Sequence, residues 1–298
     1  MVYSIGEYVE GEKNNLEQII NSKIDNKDMY ALDRCIEEMY KDEDYALYKY
    51  GYVEDLKDID AASLHKHYME IIKNSKIDIF ISGGINEEEV MHVVDNNITN
   101  LDDREAVYIK NSIAPLKEAT LTPEIKKDKK NIVQGKLVIG LDIVGINKDV
   151  RYIASMYNTI LGDSANSKLF QNVREKAHLA YSARSSYIRQ KNNIYIRCGI
   201  DIENYETAIK VIEEQIDDMK NGNFSEEDID IAKKYMEAAI KLIKNEPDAE
   251  IIYYLGQELS DTDVDLDTHI ENIKKVTFEA IKDLANKISI NTIYFLRN

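Results

Sequence analysis

The chain has 298 residues, of which 38 are Lys or Arg and 55 are Asp or Glu, and its formal net charge at pH 7 is −17. Hydrophobic residues make up 44% and charged residues 31%, which is typical of a soluble globular protein and excludes a disordered chain. The acidic balance, without any basic stripe, excludes a nucleic-acid groove. It favours neutral or basic peptides as partners.

The N-terminal stretch MVYSIGEYVEGEKNN has neither the basic start nor the apolar run of a signal peptide. No stretch approaches the roughly 18 apolar residues of a transmembrane helix, so no membrane contact is predicted. Cys35 and Cys198 each fall on an apolar face, as small core residues do. No disulfide or CxxC site is therefore predicted, and the chain is expected to be cytoplasmic.

Residues 1–100 are predicted to contain four helices and one strand. A polar helix begins within 11–24, and the next, with apolar residues at spacings of three and four, is capped by Asn26 or Asp28. Asp60 is the expected cap of a third helix, whose apolar face includes His67. The alternating segment KIDIFIS predicts a strand, and Asn86 is the expected cap of the helix that follows it.

Residues 101–130 are predicted to form an interdomain linker, because the periodicity weakens and Pro115, Pro123 and the run KKDKK occur there. Within it, AVYIK is a candidate isolated strand. Residues 131–298 are predicted to form a complete domain. Its elements are a strand through residues 137–143, a helix capped by Asn147, the hairpin LAYSARSSYIR–QKNN–IYIRCGI, several helices and the terminal strand TIYFL. This order predicts an α+β fold, an antiparallel sheet with helices packed on one face.

The stretch LGDSANSKLFQNVREKAHLAY, from Leu161 to Tyr181, is the candidate functional segment. It predicts a helix end at Gly162, a loop, a short helix and the start of a strand, on which odd positions such as Tyr181 and Ala183 share one face. Arg174 lies beside the apolar edge of the short helix. Its rigid fork of donors and the Tyr181 hydroxyl suit peptide carbonyls or a carboxylate. The alternative from spacing alone is a surface Arg and a half-buried Tyr without a site role.

This stretch resembles the C-terminal-domain signature of the pitrilysin/insulinase, processing-peptidase-like family, the inverzincins. The resemblance extends over nearly the whole chain. It implies one complete copy of the family domain, 131–298, preceded by the back half of another, 1–100, as in a non-catalytic bacterial branch. It also implies that Arg174 and Tyr181 hold a substrate backbone opposite a zinc ion. His178 departs from the family pattern, because most relatives carry Gly there.

Catalysis in that family needs the motif HxxEH on one helix. None of the five histidines begins it: His65, His67, His92, His178 and His269. His65 and His67 are two residues apart on a predicted helix and so point to opposite sides. The paired carboxylates, such as Glu37 and Glu38, are predicted to be solvated. The chain alone is therefore expected to bind no metal or other cofactor and to hydrolyse no peptide, with zinc only in a catalytic partner.

Two functions follow from these features. In the first, the chain is a non-catalytic peptide-binding subunit: an HxxEH-bearing partner or a second copy completes the assembly, and this chain supplies the wall that carries Arg174 and Tyr181. In the alternative, the chain is a scaffold or interaction module with the family fold and no substrate contact. An exposed sheet edge and apolar face would then be buried against another protein.

Overall fold

The structure, a computed structural model, describes residues 5–97, 117–118, 123–130, 132–146 and 149–298. Its helices are α1 Ile5–Asn21, α2 Lys27–Met39, α3 Ala61–Asn74, α4 Glu87–Asn97, α5 Arg151–Asn158, α6 Tyr205–Asn221, α7 Glu226–Ile243, α8 Pro247–Leu259, α9 Leu266–Lys274 and α10 Phe278–Ala285. Its strands are β1 Glu124–Lys129, β2 Gly135–Ile143, β3 Ala180–Ile188, β4 Asn193–Ile200 and β5 Ile288–Arg297.

The chain divides into two compact units that alternate along the sequence. The helical unit comprises Met1–Asn21, Tyr50–Asn111 and Lys241–Val264, and the sheet unit comprises Ser22–Lys49, Ser112–Ile240 and Asp265–Asn298. All five strands of the described residues belong to the sheet unit. The linear division predicted from the sequence, 1–100, 101–130 and 131–298, stays a prediction.

The sheet has the strand order β1-β5-β2-β4-β3, in which β1 and β5 are parallel and all other neighbours are antiparallel. Strand alternation sends Val138 and Tyr294 to one face, where they pack against Ala31 and Cys35 of α2; we call this the α2 face. On the opposite face, the α6 face, Phe295 stacks on Tyr205 at the start of α6, with ring centroids 4.5 Å apart. The predicted α+β sheet fold is confirmed, with helices on both faces rather than one.

The basic run KKDKK, predicted to lie in a linker, instead forms most of β1. Alternate residues of this edge strand are exposed, and Lys126 lies 3.2 Å from Glu38 of α2. Charged side chains suit a sheet edge because they discourage pairing with another chain. The candidate strand AVYIK and the predicted cap Asn147 lie outside the described residues.

The segment KIDIFIS, predicted to be a strand, forms none. Within the described residues of the helical unit, β-type backbone pairing is limited to a single bridge at Ser75. Ile77, Ile79 and Ile81 remain 47–49% exposed. Their alternation is typical of a strand, but a strand also requires a neighbour to accept its backbone hydrogen bonds.

The helix caps predicted from the sequence are confirmed where the structure describes them. The Asn26 side chain accepts from the backbone N–H of Met29, and Asp60 forms a reciprocal capping box with Ser63. Asn86 likewise accepts from the first turn of α4, at 2.9 and 3.2 Å. Each cap satisfies backbone donors that have no partner within the helix.

Two predictions about side-chain burial are wrong. The sequence places His67 on a buried apolar face, but α3 has no buried residue and His67 is exposed. It places Glu37 and Glu38 in solvent, but only 18% and 19% of their side chains is exposed. Both carboxylates pair with Arg34, one turn earlier on α2. Helical periodicity predicts which face of a helix is apolar, but it does not predict which other element covers that face.

A buried polar network joins the C-terminal end of α2 to the sheet. Lys117 forms an ion pair with Asp142 of β2, and its ammonium donates to the Tyr40 hydroxyl at 2.8 Å. The amide of Asn291, in β5, donates to the second Asp142 oxygen at 2.7 Å. Burial lowers the pKa of Lys117, and the Asp142 carboxylate opposes that shift. Asp142 is thus the carboxylate that keeps the buried ammonium paired.

His269 in α9 gives the sheet unit a specific pH dependence. Burial, and then the guanidinium groups of Arg151 and Arg189, lower the pKa of His269 to about 4. Its ring packs edge-to-face against Tyr152, with centroids 5.0 Å apart. Because the unfolded pKa is about 6.5, this neutral ring stabilises the fold above that pH, and the contribution is lost as pH falls toward 4.

The free energy of unfolding should fall between pH 7 and pH 4.5, and we expect this fall to be about 1–2 kcal/mol smaller in His269→Gln. The value allows for the partial solvent exposure of the ring. Urea denaturation at a series of pH values measures it. The matched control is His65→Gln, because His65 is exposed on α3. A pH profile of His269→Gln that parallels the unsubstituted protein would show that His269 titrates normally.

Candidate peptide-contacting site

Gly162 lets the turn that precedes the Arg174 helix pack closely against the sheet. It lies in the π-helical segment Thr159–Asp163, which continues α5. A Cβ added at Gly162 would lie 2.7 Å from the backbone nitrogen of Ser185 in β3 and 2.8 Å from Leu169. No side chain fits there without moving backbone, so the glycine permits this turn to pack directly on β3.

Arg174 projects from the short helix Phe170–Lys176. Leu169 and Val173 are fully buried and anchor this helix, whereas the Arg174 side chain is 43% exposed. The guanidinium carbon lies 4.7 Å from the centroid of the Phe170 ring, and Nε lies 3.6 Å from a Glu175 carboxylate oxygen. Among the described residues its two terminal nitrogens have no hydrogen-bonding partner. Donors of Arg174 are therefore accessible to a ligand.

His178 makes the turn between the short helix and β3. Its φ is +54°, in the left-handed region that favours glycine. The turn closes the helix: Ala177 N–H donates to Asn172 O at 3.2 Å and Leu179 N–H to Val173 O at 3.0 Å. A left-handed residue at this position is the usual way to end a helix. The backbone at position 178 thus favours Gly, the residue that the family resemblance leads one to expect there.

We expect His178→Gly to raise the free energy of unfolding by about 0.5–1 kcal/mol. The left-handed conformation costs a residue with a Cβ about 1–2 kcal/mol, and about 0.4–1 kcal/mol of that gain is lost to the greater freedom of glycine in the unfolded chain. Urea denaturation measures the difference. His178→Ala keeps the Cβ and should give no gain, so equal stabilisation by both variants would trace the effect to the imidazole ring.

Tyr181 occupies a β-bulge at the start of β3. Ala180 lies opposite Ile200 and Ser182 opposite Gly199, so Tyr181 is the extra residue on its strand. Tyr181 and Ala183, predicted to share a face, differ in burial: Ala183 is 5% exposed and Tyr181 is 64% exposed. The bulge shifts the alternation by one residue and re-aims the side chain.

The bulge interrupts the alternation of β3 at Tyr181. Ala180 and Ile200 lie on the α6 face, whereas Ser182 and Gly199 lie on the α2 face. At this bulge the Tyr181 hydroxyl donates to a carboxylate oxygen of Asp201 at 3.3 Å. Arg174 and Tyr181 are thus both exposed, on either side of the His178 turn. Their arrangement along one concave wall stays a prediction.

A family model described as "Peptidase M16 inactive domain" matches residues 58–236. The chain belongs to the M16 peptidase family. It is 32% identical over 292 residues to the "Probable inactive metalloprotease YmfF" of Bacillus subtilis (strain 168), a match that covers 98% of this chain and 68% of the relative. The resemblance to pitrilysin-type peptidases is thereby confirmed.

Two solved structures share the fold of this M16 chain. A conserved protein from Enterococcus faecalis V583 is 26% identical, with a TM-score of 0.85 over 97% of this chain and 68% of its own. A peptidase M16 inactive domain from Pseudomonas fluorescens is 17% identical, with a TM-score of 0.78 over 98% of this chain and 72% of its own. At 17% identity the second match shows the fold alone.

The described part of this M16 chain contains no group of three or more His, Cys, Asp or Glu side chains arranged to hold a metal ion. His65 and His67 are both exposed on α3. None of the described helices combines the length and apolar character needed to cross a membrane. Cys35 and Cys198 are free and buried, which confirms that they are core residues.

Proposed function

We propose that this M16 chain is a cytoplasmic, non-catalytic peptide-binding subunit of a pitrilysin-type peptidase assembly. The observation that supports it most is the exposure of both Arg174 and Tyr181. A residue whose donors are all used by its own domain has none left for a ligand. Here the Arg174 terminal nitrogens have no partner among the described residues, and Tyr181 makes one long hydrogen bond, to Asp201.

The chemistry expected of the pair is recognition of a peptide backbone. The planar guanidinium presents parallel N–H donors that match carbonyl or carboxylate oxygens. The ring of Phe170 holds one side of the Arg174 guanidinium, which reduces the entropy lost when a ligand is bound. The bulge holds the Tyr181 ring outward from the sheet, so its hydroxyl can exchange Asp201 for a peptide group.

The sequence supports binding without hydrolysis. HxxEH occurs nowhere in the 298 residues, and two histidines one turn apart are needed to hold zinc in this way. The relative with 32% identity is itself named a probable inactive metalloprotease. In the proposed assembly an HxxEH-bearing chain supplies the zinc, and this chain supplies the opposite wall.

A scaffold without substrate contact is the second candidate, and the helical unit supports it. Ile77, Ile79 and Ile81 are about half exposed, as are Met91 and Val93 of α4. Concentrations of apolar surface of this kind mark interaction sites. They fit a subunit of an assembly as well as a scaffold, so peptide binding is the property that separates the two functions.

The test is a titration of fluorescein-labelled, unstructured neutral peptides with the purified chain, followed by anisotropy. Saturable binding below about 1 mM supports the peptide-binding subunit, and its absence favours the scaffold. Metal analysis after chelation and re-addition of equimolar zinc belongs to the same experiment. About one zinc retained per chain would contradict a non-catalytic role.

A further inference from the structure

Two arginines lie directly opposite each other on the hairpin that carries Tyr181. Arg184 of β3 pairs with Arg197 of β4 in the antiparallel register. Side chains at directly opposed positions are about 5 Å apart at Cβ, and like charges there destabilise the sheet. Neither residue stands out in the sequence, because an arginine every few positions is ordinary on an exposed hairpin.

This arginine pair has no carboxylate partner. Within the described residues neither guanidinium forms an ion pair, and Arg197 Nε is buried without a hydrogen bond. Arg197 Nη1 lies 4.0 Å from the Met29 sulfur. Asp28, the acidic residue nearby, lies 3.3 Å from Lys136 instead. In a chain with 55 acidic residues and 38 basic ones, two adjacent guanidinium groups without an acid are unusual.

Because Arg197 is partly buried beside Arg184, the absence of a carboxylate partner destabilises the fold. Burial, and then the neighbouring Arg184 guanidinium, lower the pKa of Arg197, and the Asp28 carboxylate opposes this more weakly. Two adjacent guanidinium groups repel each other, and a carboxylate bound by the exposed Arg184 would offset that repulsion. Arg184 is exposed at the outer strand, so the pair is open to a ligand from that side.

The arginine pair lies near Tyr181 on the same hairpin. Arg197 is opposite Val138, a residue of the α2 face, and Arg184 is opposite Arg197. Tyr181 is the bulged residue at the start of β3, the strand that carries Arg184. Arg184 is three residues further along β3, a separation of about 10 Å in an extended strand. A peptide that runs beside β3 would therefore meet the arginine pair about 10 Å beyond Tyr181.

We propose that Arg184 and Arg197 form a carboxylate subsite that selects a single Asp or Glu side chain in a peptide bound along β3 from Tyr181. The inference rests on the proposed function, because it names a preference of the same peptide site. The net charge of −17 repels strongly acidic ligands. The subsite therefore fits a neutral or basic peptide that carries one acidic residue.

The experiment compares labelled, otherwise neutral peptides that differ only in Glu or Gln, with the substitution moved along the peptide. At low salt the unsubstituted protein should bind the Glu peptide about threefold to tenfold more tightly at one position. This preference should decrease at about 0.5 M salt. Arg184→Gln should abolish the preference but retain the affinity for the Gln peptide. Lys210→Gln, an exposed control on α6 with the same change in charge, should keep the preference.

The outcomes separate the two proposals. Equal affinities for Glu and Gln peptides at every position, with clear binding of both, would overturn the carboxylate subsite and leave the peptide-binding function standing. Binding of neither peptide would overturn the proposed function and the subsite with it. If Arg184→Gln and Lys210→Gln reduced the preference equally, the effect would belong to the overall charge and the subsite would be rejected.

Discussion

Replacing Arg174 with Ala is expected to weaken peptide binding roughly tenfold to a hundredfold, the equivalent of about 1.5–3 kcal/mol for the loss of a charged hydrogen-bond donor. Stability should hardly change, because the Arg174 side chain is 43% exposed and its ion pair is with the adjacent Glu175, at 3.6 Å. Anisotropy titrations of the same labelled peptide measure the affinity, and urea denaturation measures the stability.

The matched control is Lys176→Ala, which removes one positive charge from the same short helix. Lys176 donates to Asn172 at 3.0 Å and is exposed. Tyr181→Phe removes only a neutral hydroxyl and should reduce binding by about 1 kcal/mol. Unchanged affinity of Arg174→Ala, or an equal loss for Lys176→Ala, would remove Arg174 from the site and favour the scaffold function.

Local signals in the sequence are reliable where a few neighbouring residues determine the structure. The caps Asn26 and Asp60 form as predicted, because capping depends on a side chain and a backbone N–H two or three residues apart. Gly222, at the end of α6, likewise adopts the left-handed conformation, with φ +77°. The hairpin of β3 and β4 follows the alternation of its apolar residues.

Features that depend on distant residues were not predictable. The strand made by KKDKK exists because β5 pairs with it, whereas the better alternation at Ile77–Ile81 has no neighbouring strand among the described residues. Helix α2 precedes the sheet by about a hundred residues and still packs on it through Ala31 and Cys35. Apolar periodicity shows which side of an element is buried but does not identify its partner.

The candidate site combines both kinds of feature. Residue types and spacing indicate Arg174 and Tyr181, and the family resemblance, which leads one to expect Gly at position 178, points to the left-handed turn found at His178. The bulge at Tyr181 gives no sequence signal, because an extra residue looks like any other member of the alternation. The arginine pair could not be predicted from the sequence either, because Arg184 and Arg197 become neighbours only through the register of the hairpin.

Asp142→Asn is expected to lower the free energy of unfolding by about 2–4 kcal/mol. Only 7% of the Asp142 side chain and 14% of the Lys117 side chain is exposed. Loss of the carboxylate leaves the Lys117 ammonium buried beside the Tyr40 hydroxyl without a negative partner. The new amide also presents a donor toward Asn291, whose own amide donates to Asp142 at 2.7 Å. Urea denaturation measures the change in unfolding free energy.

The pH dependence of this destabilisation identifies its cause. Without Asp142, the pKa of Lys117 should fall further below that of the unfolded chain, about 10.4, so the unfolded state binds more protons at neutral pH. Stability of the variant should therefore rise with pH, and its deficit should shrink between pH 7 and pH 10. A deficit that stays constant over that range would instead trace the effect to the lost hydrogen bond with Asn291.

Two further variants complete the test. Lys117→Met combined with Asp142→Leu removes both charges and should recover most of the lost stability, because a buried ion pair replaced by apolar residues is often neutral in free energy. Asp217→Asn provides the surface control: its side chain is 66% exposed and 3.4 Å from Lys220, so it should change stability by less than about 1 kcal/mol. If the double variant is no more stable than Asp142→Asn alone, the unpaired ammonium is not the source of the loss. The network would then stabilise the end of α2 chiefly through the hydrogen bonds of Asp142.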